Sequence, residues 1–210
     1  MRAPLLYVYT ASIPTDVGVE AVFPSSRSEE IFACGSEKTK KEKFCAWKLL
    51  EYALLHAFGK RIEEIAFTKS AQGKWTCDFC HFSLSHSGNA LAVALSDLPV
   101  GVDIEKIAPI KSPNKVAKKI LTEAELEDYQ RLAVNAESAN AFLLEIWTKK
   151  ESIFKRGGIA SFLPNRIFVG EDTQTQKVFV ADEEYFLSVT GNTDLTMHLC
   201  ENAPCVFRKN

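Results

Sequence analysis

The sequence has no apolar run close to the ~20 residues that a membrane-spanning helix requires. Its opening, MRAPLLYVYTAS, has no hydrophobic stretch long enough for a secretory signal, so no membrane role and a cytoplasmic location are the expectation. Neither charge is in excess: 25 Lys and Arg stand against 27 Asp and Glu, a formal net charge of −2. Bulk attraction to nucleic acid or to an anionic membrane is therefore not expected, and any phosphate chemistry must rest on a local basic site. Cysteine is sparse. The six (Cys34, Cys45, Cys77, Cys80, Cys200, Cys205) suit reduced thiols in a chain of 210 residues and need no disulfide framework. The 46% hydrophobic content is enough to bury a substantial core, as one domain or as two small lobes sharing an interface.

Leu5 to Tyr9 reads as a short strand, and the stretch from there to about Gly35 has no clear element. In SEKTKKEKFCAWKLLEYALLHAFG, the helical spacing of Phe44, Trp47, Leu50, Leu54 and Ala57 predicts a long helix closed by Gly59, with basic residues crowding its first half. Between Cys77 and Glu105 the pattern turns to short extended runs, FSLSH, LAVALS and VGVDIE, with Ser87-Gly88-Asn89 as a turn between the first two. The chain becomes helical after Pro109 and Pro113. Thr122-x-x-Glu125 is a capping box for a helix through Leu132, and Ser138 is the expected cap of a longer helix running to about Phe154, before Gly157-Gly158. From Arg166 to Phe207 a meander of strands is expected: RIFVG, KVFVA, YFLSV and LTMHLC. The order strand, helix, strands, then strands, helices, strands predicts an α+β fold of two similar lobes, residues 1–100 and 101–210.

In GVDIEKI, Asp103 and Glu105 are two apart, which on a strand aims both carboxylates at one face, roughly 7 Å apart along the backbone. Two such hard oxygen donors suit Mg²⁺ better than Zn²⁺. A lone D-x-E is more often the solvated face of an edge strand. In WTKKESIFK, Trp147, Glu151 and Lys155 form one helical stripe flanked by Lys150, able to set a third carboxylate and two ammonium groups against a polyphosphate. Taken alone, that stripe reads more simply as a core tryptophan beside a surface ion pair. FSLSHSGN presents hydroxyls, an imidazole and backbone N–H groups at one turn, which suits a phosphate; His86 could equally be structural, and Lys69 and Lys74 could equally lie on a solvated loop.

GVDIE followed by W-x-x-K-E-x-x-x-K, and preceded by F-S-L-S-H-S-G and a Gly-Lys loop, resembles the Sfp-like 4′-phosphopantetheinyl transferases from about Lys38 to Gly158. The resemblance implies a pseudodimer of two α+β lobes, active as a monomer, that binds coenzyme A in the cleft between them. It implies that Asp103, Glu105 and Glu151 hold Mg²⁺, that Glu151 acts as the base, and that Lys150 and Lys155 neutralise phosphate oxygens. Ser85, His86, Lys69 and Lys74 would lie along the nucleotide, with His86 near the 3′-phosphate, and an apo acyl or peptidyl carrier protein would accept the phosphopantetheine arm. Two departures stand out: Trp75 follows Lys74 where the family usually has proline, and the first helix offers Lys40, Lys41 and Lys43 where arginine is common, Lys40 being the choice among them.

Two other functions compete: a carrier-binding module without catalysis, which should have lost part of the acidic and basic set, and a Mg²⁺-dependent phosphohydrolase built on the same carboxylates. Cys77-x-x-Cys80-His81 matches the pattern of covalent haem attachment, but haem attachment needs an exported protein. A zinc site with His81 and His86, or a redox pair, is also conceivable; the alternation into FSLSH favours structural thiols on an ordinary strand.

Overall fold

The computed structural model of the chain describes residues 5–71, 73–157, 161–192 and 196–203. Gly158, Leu195, Cys205 and Phe207 therefore lie outside the described residues. Nine strands and five α-helices follow one another among the described residues. They are β1 (Leu6–Ser12), α1 (Ser25–Phe32), α2 (Glu37–Phe58), β2 (Phe67–Lys69), β3 (Trp75–Cys77), β4 (His81–Ser87), β5 (Ala90–Ser96), β6 (Gly101–Lys106), α3 (Pro113–Ile120), α4 (Glu123–Leu132), α5 (Ala136–Arg156), β7 (Thr173–Val180), β8 (Glu183–Thr190) and β9 (Met197–Cys200). The fold is mixed α+β. None of the described helices is long and apolar enough to cross a membrane.

The strands form a four-stranded sheet of order β4-β5-β1-β9, a three-stranded antiparallel sheet of order β6-β8-β7, and the hairpin β2-β3. β9 runs parallel to β1, Leu6 opposite Met197, so the last described strand returns to the sheet of the first half. Side-chain alternation decides how the layers stack. On β5, Leu91, Val93 and Leu95 join the core beneath α2, while Ala90, Ala92 and Ala94 face the second core with Val102, Ile104, Leu187 and Val189. The small side chains on that face let the two sheets approach.

Serines complete the junction. On β4, the hydroxyls of Ser83, Ser85 and Ser87 accept hydrogen bonds from the backbone N–H groups of Val102, Ile104 and Lys106, at 3.0, 3.4 and 3.2 Å. The outer edge of β6 is thus satisfied by side chains of another sheet instead of a neighbouring strand, which answers the need of every buried backbone donor for a partner.

α5 lies across β6 and β8, and Gly101 is what permits the approach. A Cβ at Gly101 would sit 1.9 Å from the Ser152 carbonyl oxygen and 2.4 Å from the Arg156 nitrogen. Ser152 Oγ meets Thr190 Oγ1 at 2.6 Å, tying the same helix to β8.

The expected long helix is α2, capped by Ser36 and closed by Gly59 in the left-handed region at φ 65°. The Thr122–Glu125 capping box is present at α4. Three expectations need correction. The segment RIFVG is not a strand: a 3₁₀ turn covers Pro164–Arg166, and Phe168 is 79% exposed, having no neighbouring strand to pair with. The cap of α5 is Asn135, whose side chain accepts from the Ser138 N–H, so Ser138 is the third helical residue instead of the cap. The stretch before Gly35 contains α1, whose burial is carried by Arg27, Ser28 and Ile31, two of them polar, so hydrophobic periodicity gave no signal there.

Candidate functional site

β6 carries Asp103 and Glu105 on one face, and the close packing over Gly101 brings the last turns of α5 against them. Lys155 Nζ donates to Asp103 Oδ1 at 2.6 Å and to Ser85 Oγ at 2.9 Å, and stands 4.0 Å from Glu151 Oε2. Ser85 Oγ in turn donates to Asp103 Oδ1 at 2.7 Å. A strand carboxylate and a distant helix carboxylate therefore flank one cationic centre. Glu105 accepts from Ser87 Oγ at 2.7 Å and from the Trp147 side chain, so Trp147, Glu151 and Lys155 do form one stripe along the site.

Burial governs the electrostatics here. Asp103 is only 3% exposed, and its Oδ2 is buried with no hydrogen-bond partner among the described residues. Desolvation pushes the Asp103 carboxyl above the usual carboxylate range, against the opposing pull of Lys155 and Ser85. Desolvation also raises Glu105 and Glu151, and like charge adds to it: Asp103 raises Glu105, while Asp103 and Glu105 both raise Glu151, with Lys155 opposing in each case. A partnerless buried carboxylate oxygen beside two further carboxylates is the chemistry of a hard divalent cation site. Among the described residues no group of three His, Cys, Asp or Glu side chains is gathered tightly enough to hold a metal ion by itself.

The other residues singled out from the sequence divide into those that join this cluster and those that do not. Ser85 joins it. His86 sits beside it, 3.9 Å from Glu42 Oε2, and burial lowers its pKa, with Glu42 and Asp103 raising it and Lys155 and Lys38 lowering it. Glu42 of α2, which was not among the candidates taken from the sequence, thus faces His86, and Lys38 pairs with Glu42 one turn earlier; their i,i+4 spacing was the available signal.

Lys40 is bound to Glu37. Lys69 belongs to a separate cluster in which Glu30 accepts from Lys69, Trp75, Arg27 and Lys43; burial would raise Glu30, yet these donors hold it at about 2. Lys74 donates to the last carbonyls of α5, Lys155 O and Arg156 O. Trp75, where proline was expected, is a buried ring against Trp47 with centroids 5.5 Å apart, so it anchors the hairpin. Lys150 requires the clearest correction: its side chain is 0% exposed, and its ammonium is consumed by Glu125 and by the Ile120 carbonyl at 2.8 Å, leaving it no access to a phosphate.

Residues 99–200 match the family model of the 4′-phosphopantetheinyl transferase superfamily. The chain is also similar to 4′-phosphopantetheinyl transferase gsp of Aneurinibacillus migulanus, 38% identical over 117 residues, 55% of this chain and 48% of the relative. It is 34% identical over 84 residues to 4′-phosphopantetheinyl transferase Sfp of Bacillus subtilis strain 168, covering 40% of this chain and 36% of that protein. With 4′-phosphopantetheinyl transferase AcpT of Salmonella typhimurium it shares 37% identity over 99 residues, 43% of this chain and 50% of the relative. The chain spans about half the length of the curated relatives it matches. The matched segment contains Asp103, Glu105, Glu151 and Lys155; Ser85, Ser87 and His86 lie on the strand before it.

Ser87, expected in the turn after Ser85 and His86 as one of the hydroxyls suited to a phosphate, is instead the last residue of β4, two beyond Ser85 and on the same face. Its hydroxyl both donates to Glu105 and accepts from the Lys106 N–H, which fixes the carboxylate's orientation. If Glu105 holds a divalent cation, as proposed below, Ser87→Ala is expected to lower the affinity for that cation or the activity about 10- to 100-fold, the usual cost of losing a group that orients a ligand. Titration of Mg²⁺ dependence for both forms would check this, and identical titration curves would contradict it.

Proposed function

We propose that the chain is a Mg²⁺-dependent 4′-phosphopantetheinyl transferase, moving the phosphopantetheine arm of coenzyme A onto a serine hydroxyl of an apo acyl or peptidyl carrier protein and releasing adenosine 3′,5′-bisphosphate. One observation carries the reading. Asp103 of β6 and Glu151 of α5 converge on a single ammonium, beside a buried Asp103 oxygen that has no partner, within the segment that matches the superfamily.

Asp103, Glu105 and Glu151 would hold the Mg²⁺. Their oxygens are the donors this ion takes, and a bound ion would neutralise pyrophosphate charge. Glu151, whose basicity is raised by burial and by its acidic neighbours, would take the proton of the carrier serine as its oxygen bonds to the β-phosphorus and the bridging P–O bond breaks. Lys155 would offset the charge that accumulates on the leaving phosphate; its position between the strand and helix carboxylates supports that role. Coenzyme A would lie between two lobes, residues 1–100 and 101–210, in a cytoplasmic monomer. The serine junction of β4 with β6 and the return of β9 to β1 would hold these lobes together.

His86 would meet the 3′-phosphate. Burial keeps its imidazole biased toward the neutral form, and an arriving dianion would favour the protonated one. His86→Ala is expected to raise the KM for coenzyme A about tenfold, corresponding to roughly 1.4 kcal/mol, with residual kcat. An unchanged KM would remove His86 from the nucleotide site. The decisive test of the whole reading is incubation with coenzyme A, Mg²⁺ and a panel of apo carrier proteins, followed by intact-mass measurement. A gain of about 340 Da on a carrier serine supports transfer, whereas release of coenzyme A fragments without carrier modification would point to a hydrolase.

A further inference from the structure

The turn joining β3 to β4 holds two thiols that the proposed reaction does not use. Cys77 closes β3 and Cys80 immediately precedes β4, so the C-x-x-C spacing folds over Asp78 and Phe79 as a turn. This corrects the expectation that both cysteines lie on an ordinary strand. Cys77 Sγ lies 3.2 Å from the Cys80 carbonyl oxygen, and the two thiols hydrogen-bond each other. Both are partly exposed, whereas Cys45 is fully buried. Together they line a hollow of about 110 Å³ shared with Lys74, Thr76, His81 and Arg156. That space admits a small linear reagent. Among the described residues no third ligand is gathered with them for a metal ion.

We infer that Cys77 and Cys80 form a redox-active dithiol that reacts with small-molecule disulfides, Cys77 being the attacking sulfur and Cys80 the resolving one. The Cys77 thiolate attacks one sulfur of the disulfide, an S–S bond forms to Cys77, and one small thiolate leaves. Cys80 then gives up its proton and attacks Cys77 Sγ, expelling the second small thiol. Two protein thiols are oxidised to one disulfide and the reagent is reduced to two thiols.

The surroundings assign these roles. The hydrogen bond from Cys80 holds Cys77 at about 6 in spite of burial, aided by the backbone N–H groups of Cys80 and Phe79 and opposed by Asp78. Cys80 is pushed far up by its hydrogen bond to Cys77, by burial and by the charges of Cys77 and Asp97. Once Cys77 is bonded to the reagent, its charge and that hydrogen bond vanish, and the Cys80 proton is released more readily. The inference stands independently of the transferase reading.

Reduced full-length chain should be exposed at pH 7 to graded mixtures of oxidised and reduced glutathione, quenched by alkylation and mapped by peptide mass. A Cys77–Cys80 disulfide, seen as a loss of about 2 Da, is expected while Cys34, Cys45 and Cys200 remain alkylatable. Cys80→Ser should accumulate a glutathione adduct on Cys77, and Cys77→Ser should leave Cys80 unmodified under the same exposure. Iodoacetamide should label Cys77 at least about tenfold faster than Cys34 at pH 7. Labelling of Cys77 no faster than Cys34, or absence of the adduct in Cys80→Ser, overturns the inference.

Discussion

Asp103→Asn is expected to abolish phosphopantetheine transfer, to below about 1% of the unmodified chain, and at the same time to raise the melting temperature at neutral pH. Loss of activity follows from removing the charge that, in the proposed site, holds the cation. The gain in stability follows from burial. Asp103 is almost wholly enclosed, one of its oxygens has no partner, and desolvation lifts its pKa above the ordinary value even with Lys155 beside it. With the folded pKa above the unfolded one, the folded chain holds a proton that the unfolded chain releases in the window between the two values. Stability therefore falls as pH rises through that window, and above it the penalty is fully present. Asparagine keeps an oxygen for Ser85 and Lys155 without the charge. Relief of about 1 kcal/mol corresponds to about 2–4 °C in a chain of this length. Because protonated aspartic acid resembles asparagine, the difference between the two forms should shrink as pH is lowered through the window. Calorimetric scans from neutral to mildly acidic pH would test this; a less stable Asp103→Asn at pH 7 would show that Lys155 and Ser85 outweigh desolvation.

Gly101→Ala is expected to damage the molecule from a position that touches no substrate. The added methyl would meet backbone atoms of α5 at 1.9 and 2.4 Å, and backbone cannot swing aside as a long side chain can. The helix must lift from β6 by about 1 Å or more. Overpacking of this kind costs about 3 kcal/mol, a fall in melting temperature on the order of 10 °C. The same displacement would separate Glu151 and Lys155 from Asp103, and a 1 Å misplacement can cost about a hundredfold in rate. A variant with an unchanged melting temperature and full activity would show that the helix and strand can slide past each other freely.

The contrast between Lys155 and Lys150 shows how far local spacing reaches. Both lie on α5, and the family resemblance implies that both neutralise phosphate oxygens. Lys155, four residues after Glu151, shares its face and reaches the Asp103 carboxylate of β6. Lys150, one residue before it, is rotated about 100° around the helix and meets Glu125 at the start of α4. Helical geometry foretold that the two lysines point differently. It could not say that α4 would supply a carboxylate for the second one.

Period and cap chemistry were readable directly from the residues: the α2 stripe, the Thr122 capping box, the alternation of β4 to β6, and the pairing of Asp103 with Glu105 on one face are all consequences of side-chain spacing within a few residues. What spacing could not supply is partnership across distance. That Ser83, Ser85 and Ser87 replace a strand along β6, that Lys69 is engaged by Glu30 39 residues away, and that Gly101 marks a helix–strand contact emerge only when separate segments are packed together. The acidic and basic groups were therefore determined by the sequence as a set. Which of them share one cation, and which are neutralised elsewhere, was decided by tertiary structure, because Coulomb and hydrogen-bond energies depend on separations and burial that no linear order contains.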